Sequence, residues 1–378
     1  MLHIDDYLRI AQEMNASDLH LKADAPPLLR IDGLLQRTDL PPLDSAEIAM
    51  MFQESLPSRH WDRFCSEWEL DAAYATSTSH SPLEEDERGT PDAASESSRY
   101  RLNLFKQRGT VEAVFRIIPT HLMTMEEIGL PKLARSFASR VRGLLLVTGP
   151  VGSGKTTTQA AMIDSINERL PCHIITIEDP IEYIHENRAA LVSQRELGHD
   201  TETFAGALRS ALREDPDVIL VGEMRDLETI RMAITAAETG HLVLSTLHTL
   251  DAAETINRII DIFPTHQQDQ VRMQLAVNLI GVVGQTLVRR ASGEGRVAAF
   301  EVMANLPAVA TAIRENKIYQ INSALQSGQK TGMVSLDRSL ADLVKSGEVE
   351  YEEGLWRAKN PDDYTQFALG RGASQKAS

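Results

Sequence analysis

Eight residues limit the possible fold more than any others: Gly149-Pro-Val-Gly-Ser-Gly-Lys-Thr156, a complete G-x-x-x-x-G-K-[ST] loop directly after the apolar run 143–148. The run has the composition of a buried parallel strand, and the residues after the loop place apolar side chains at 160, 161, 163 and 166, a helical spacing. Strand, glycine-rich turn and helix in this order make a phosphate cradle. Gly149, Gly152 and Gly154 let backbone N–H groups wrap an anion at the positive end of the helix. Ser153 and Thr157 complete the set of contact positions, Lys155 is placed to reach β- and γ-phosphates, and the Thr156 hydroxyl is placed to bind Mg²⁺. The chain is therefore expected to bind a nucleoside triphosphate.

With 378 residues, 42% of them hydrophobic and 24% charged, the chain is long enough for two domains with ordinary cores. No stretch approaches the ~20 apolar residues of a membrane span, and the first residues lack the pattern of a signal peptide, so a cytoplasmic location is expected. The net charge of −16, from 54 acidic and 38 basic residues, argues against broad attraction to nucleic acid. Cys65 and Cys172 are too few and too far apart for a Cys₄ zinc site, and both read as small core residues.

Organisation changes along the chain. Residues 1–118 read as a small α+β domain, with a helix near 5–14, strands near 19–22 and 28–35 around Asp32-Gly33, helices near 46–52 and 59–65, and three further strands ending at 118. Residues 77–99 form a polar, acidic run that cannot bury enough apolar area to offset its ordering entropy, and read as a disordered insertion. Residues 119–142 read as a linker with a short helix at 132–140. From 143 to 369, apolar strands at 143–148, 173–178, 218–222 and 242–247 alternate with helices, the signature of an α/β domain with a parallel sheet; 370–378 is a polar tail.

Hydrolysis needs more than a cradle: a group that orients water and a second hold on the metal. The strand 217–222 ends in Gly222-Glu223, so Glu223 takes the position at the metal that a strand-end aspartate usually fills. The segment 174–182 ends another strand with Glu178, Asp179 and Glu182, and Pro180 is expected to put these acids on a loop at the sheet's edge. One of them could position the attacking water. His241 and His248 bracket the strand 242–247, seven residues apart and too distant to share one metal.

In this order, the elements resemble the secretion ATPase superfamily, and within it the PilT family of type IV pilus retraction ATPases. The blocks that carry the resemblance are Ala16-Ser-Asp-Leu-His20, the phosphate loop, Ile177-Glu-Asp-Pro-Ile-Glu182, the segment 207–218, Val221-Gly-Glu-Met-Arg-Asp226, Ala236-Ala-Glu-Thr-Gly-His241 and Thr246-Leu-His248. The resemblance implies a RecA-like ATPase domain preceded by a PAS-like domain, assembled as a homohexameric ring that uses ATP and Mg²⁺. It implies Glu182 as general base, Glu223 at the metal, His241 and His248 lining the nucleotide site or coupling it to movement, and Arg101 and Arg116 reaching phosphate across a domain or subunit interface. Ala312-Ile-Arg-Glu315 matches the family's segment linked to retraction. The implied partners are an inner-membrane pilus platform protein and other pilus ATPases, not nucleic acid, and the implied place is peripheral, at the inner-membrane base of the pilus machine. An accessory retraction paralogue and a nucleotide-dependent factor without turnover are the alternative readings. Val151 stands where the family often has threonine, and the 77–99 run lies outside its usual pattern.

Overall fold

The computed structural model describes residues 2–76, 98–118 and 122–370. They belong to two compact units, Met1–His121 and Leu122–Ser378. The expected 77–99 insertion falls outside the described residues except for Ser98 and Arg99, which belong instead to a strand, and the 370–378 tail falls outside them except for Gly370.

The first unit runs α1 (Ile4–Glu13), β1 (Asp18–Leu21), β2 (Leu28–Ile31), β3 (Leu34–Arg37), α2 (Ser45–Ser55), α3 (Ser58–Glu67), β4 (Glu69–Thr76), β5 (Ser98–Gln107) and β6 (Thr110–Ile118). Helix α1 starts at a capping box between His3 and Asp6 and buries Ile4, Tyr7, Leu8 and Ala11, the 3–4 spacing of one helical face. Asp32 and Gly33 both have positive φ, as the tight β2–β3 hairpin requires. The strands form one antiparallel sheet in the order β3-β2-β1-β6-β5-β4. Leu19, Leu29, Leu102 and Phe115 from the strands join Leu8, Phe52 and Phe64 from the helices in its core. Alternation sends the other side chains to the opposite face, where Arg30, Asp18, Arg116 and Arg101 stand in register across four strands. Cys65 is exposed, not buried as expected, because Phe64 takes the inward position of α3.

The second unit runs α4 (Lys132–Phe137), β7 (Gly143–Thr148), α5 (Lys155–Arg169), β8 (His173–Glu178), β9 (Leu191–Glu196), α6 (Phe204–Ala211), β10 (Val218–Val221), α7 (Leu227–Glu238), β11 (Leu242–Leu247), α8 (Ala252–Asp261), α9 (Thr265–Asn278), β12 (Leu279–Arg289) and β13 (Arg296–Ala304). Helices α10 (Pro307–Arg314), α11 (Ile321–Ser327), α12 (Leu336–Lys345), α13 (Tyr351–Arg357) and α14 (Pro361–Leu369) follow. The sheet order is β13-β12-β7-β11-β10-β8-β9, parallel except for β13. Every residue of β7, β10 and β11 is buried, so each is mostly apolar, and the buried Ser245 and Thr246 of β11 donate to the carbonyls of Val221 and Gly222. This α/β architecture brings the C-terminal ends of β7, β8, β10 and β11 to one edge, where such sheets place ligand groups.

Strand β9 was not expected from the sequence. Leu191-Val-Ser-Gln-Arg-Glu196 pairs on one side only and buries none of its residues fully, so it lacks the apolar run that marks its neighbours. It makes β8 an interior strand, paired with β10 on one side and β9 on the other. Helix α4 ends at Phe137 instead of continuing to 140, and Cys172, expected in the core, is only partly buried against it. Among the described residues, no helix is long and apolar enough to cross a membrane.

Candidate functional site

The phosphate loop is shaped by close packing against β12 as well as by its own glycines. Gly149 has φ of +144°, and a Cβ there would collide with the Gln285 carbonyl and lie 2.7 Å from Ser153 Oγ. Gly154 has φ of +85°, and a Cβ there would sit 2.8 Å from Gln285 Nε2. Gln285 is itself fixed by a 2.6 Å hydrogen bond from Thr158 Oγ1 in the first turn of α5. It backs the whole loop, and the sequence contained no signal for it beyond a polar residue in an apolar strand.

The loop's donors suit a phosphate. Helix α5 begins at Gly154 with no side-chain cap, so its first N–H groups remain available. Ser153 Oγ is buried with no hydrogen-bond partner among the described residues. Lys155 Nζ donates to the carbonyls of Gly149 at 2.8 Å and Pro150 at 2.9 Å and lies 3.5 Å from His248 Nδ1, so the ammonium is folded over the loop that a phosphate would fill. Burial pushes its pKa down, while the carboxylates of Glu223 and then Glu182 push it back up. Both candidate carboxylates therefore act on one cation.

Gly222 follows β10 where its N–H donates to Ile177 O at 2.8 Å, and a Cβ there would press to 3.3 Å from that oxygen, so the chain passes tightly between β8 and β11. Glu223 comes next, half-buried. Arg225 Nε approaches one of its oxygens at 2.7 Å and His248 Nε2 the other at 3.4 Å. Thr156 stands at the start of α5 with partial exposure. Lys155, His248 and Glu223 thus form a continuous chain of contacts, and Glu223 with Thr156 offers the oxygen donors that Mg²⁺ prefers.

The acidic segment was expected to place all three acids on a loop, but only Asp179 and Glu182 lie on it. Glu178 is the last residue of β8 and is buried, and its carboxyl accepts from Thr176 Oγ1 at 2.7 Å and Gln194 Nε2 at 3.2 Å. Burial raises its pKa to about 7. The Asp179–Pro180 bond is cis, and Glu182 follows on the loop, half-buried. Tyr183 OH lies 3.0 Å from Thr157 Oγ1, which ties this loop to the first turn of the nucleotide helix.

The two histidines part company. His248 follows the C-terminal end of β11 and belongs to the site. His241 precedes the strand at its other end, roughly 20 Å away along a six-residue strand, with Nδ1 2.9 Å from Ala236 O. It is therefore not in the nucleotide site of its own chain, which corrects that part of the expectation. In the first unit, Arg116 Nε binds Asp18 Oδ1 at 3.1 Å and Arg101 Nε lies 3.9 Å from Asp71 Oδ1, neighbours on one sheet face and both partly exposed.

Comparison with known proteins agrees with this geometry. A family model, "Type II/IV secretion system protein", matches residues 108–332. The chain is 45% identical over 363 residues to the type IV pilus retraction ATPase PilT of Pseudomonas aeruginosa, covering 96% of this chain and all of that protein. It is 45% identical over 336 residues to the twitching motility protein of Neisseria gonorrhoeae, covering 89% of this chain and 85% of the relative. A crystal structure of the pilus retraction motor PilT with bound ADP superposes with a TM-score of 0.81 at 42% identity, covering 96% of this chain and 99% of that one.

Proposed function

The chain belongs to the type II/IV secretion system protein family, and on that premise we propose that it is an ATP-hydrolysing motor that powers type IV pilus retraction. The observation that carries this reading is the convergence of Lys155, Glu223, His248 and the Glu182 loop at one end of the parallel sheet. The glycine backbone and Ser153 hold the phosphates, and Lys155 leaves its carbonyl partners to neutralise charge on the transferring group. Thr156 and Glu223 would hold Mg²⁺, which when bound supplies Lewis-acid stabilisation of the phosphate oxygens. Glu182 accepts the proton of the attacking water as the bond to the ADP leaving group breaks. Arg101 and Arg116 serve as arginines brought to phosphate from another subunit or by domain closure, a role their partial exposure on one sheet face supports.

Six copies assemble as a ring at the cytoplasmic face of the inner membrane, where they engage the pilus platform protein and other pilus ATPases. The segment 312–315 suits such a surface, since Ala312 and Ile313 anchor it in the core and leave Arg314 and Glu315 exposed. His241, distant from its own chain's loop, acts in coupling between subunits. The test is steady-state ATPase activity of wild type and Glu182→Gln with particle mass measured on the same samples. Hydrolysis by a hexamer, lowered at least about 10²-fold by the substitution with ADP binding kept, is the expected result. ATP binding without turnover in the wild type would sink the motor reading.

A further inference from the structure

We infer that the edge strand β9 is the positioning element for Glu182, acting through the side chains of Gln194 and Glu196. This rests on the reading of Glu182 as the base. Glu182 lies on a loop in which Ile184, Glu186 and Asn187 are exposed, and the one buried apolar side chain beside it is that of Tyr183. Its two chain neighbours are nevertheless both pinned. Ile181 N–H donates to Glu196 Oε2 at 3.0 Å, and Tyr183 O accepts from Gln194 Nε2 at 2.8 Å. The same amide accepts the His185 N–H at Oε1, also at 2.8 Å.

Gln194 uses both ends of its amide on this loop, and its Nε2 also reaches Glu178 at 3.2 Å. Only one amide orientation satisfies the set, because the flipped form would set NH₂ against the His185 N–H and oxygen against the Tyr183 carbonyl. An ionised acid only accepts, and a hydroxyl carries one hydrogen where Tyr183 O and Glu178 Oε1 take two, so neither reproduces the amide's contacts. On its other side the loop is tied to α5 through Tyr183 OH and Thr157 Oγ1. Glu182 is thus suspended between β9 and the nucleotide helix, and the base is aimed by side chains that never meet the substrate. A displacement of about 1 Å at such a group is enough to cost on the order of 10²-fold in rate.

The experiment compares Gln194→Met, which keeps length and removes both polar ends, and Glu196→Ala with wild type and Glu182→Gln in the full-length protein. ATPase kcat, KM for ATP, ADP affinity, thermal midpoint and amide exchange over 181–185 are measured on the same samples. Either β9 variant should lower kcat by about 10- to 10²-fold, leave KM and ADP affinity within about threefold, and speed exchange in 181–185 while the other strands keep their protection. Retained kcat within twofold in both variants overturns the inference. So does a loss of kcat that comes only with a matching loss of ADP affinity and thermal midpoint, the mark of a merely structural strand. If Glu182→Gln hydrolyses ATP normally, the base reading falls and takes the positioning role with it; if that variant is dead while both β9 variants are active, the positioning role alone is wrong.

Discussion

Strands β7 and β9 are each six residues long, lie in the parallel part of one sheet, and serve opposite halves of one site. Every residue of β7 is buried between neighbours on both sides, whereas β9 pairs only with β8 and leaves Leu191 55% exposed. Strand β7 aims the phosphate loop through its backbone, held in register by β11 and β12. Strand β9 aims the acidic loop through the tips of two polar side chains. An interior strand can position a ligand group by register alone, while an edge strand, free on one side, does so with side-chain hydrogen bonds.

The contrast can be broken most severely at the end of β7. Gly149→Ala adds a strained φ to a collision with the Gln285 carbonyl, and a loss of about 4 kcal/mol is expected. It should appear as a lowered urea midpoint together with failed ADP binding; normal ADP affinity would mean that the loop is not held against β12. The next contrast pairs the strands directly. Leu146→Ala in β7 should cost about 3 kcal/mol, and Leu191→Ala in β9 no more than about 0.5 kcal/mol, in the same denaturation experiment. Equal costs would deny that the two strands differ in how they are held.

The smallest effect sharpens what β9 covers. Glu178 lies beside Gln194, and burial raises its pKa from 4.5 to about 7, so the folded protein holds a proton that the unfolded chain has released above about pH 5. The stabilisation from that proton is fully present below the unfolded pKa and is lost as pH rises toward 7. Glu178→Gln removes the dependence, and its stability relative to wild type should increase between pH 5 and pH 8.5 by about 1–2 kcal/mol, measured as paired urea midpoints. A pH-independent difference would place the carboxyl in contact with water.

Much of the second unit was legible because its interior strands are mostly apolar and its loop must carry glycines. Runs 143–148, 173–178, 218–221 and 242–247 are strands in the structure, and Gly149, Gly152 and Gly154 have positive φ. Where a position answers to its local neighbours alone, as in the Asp32-Gly33 hairpin, sequence patterns also suffice.

What one-dimensional pattern could not carry is set by partners distant along the chain. Gln285 backs a loop more than a hundred residues before it, and Gln194 reaches back to Tyr183 and His185 from a strand with no periodic signature. His241 and His248 look equivalent as two histidines bracketing a strand, and only the direction of β11 separates the one beside Lys155 from the one at the far end. The sequence by itself determined the nucleotide cradle, the parallel sheet and the candidate acids, because backbone conformation and burial constrain residue type locally. The tertiary structure alone decided which acid is buried, which histidine meets the site and what holds Glu182, because each depends on strand order and on hydrogen bonds between segments that composition does not link.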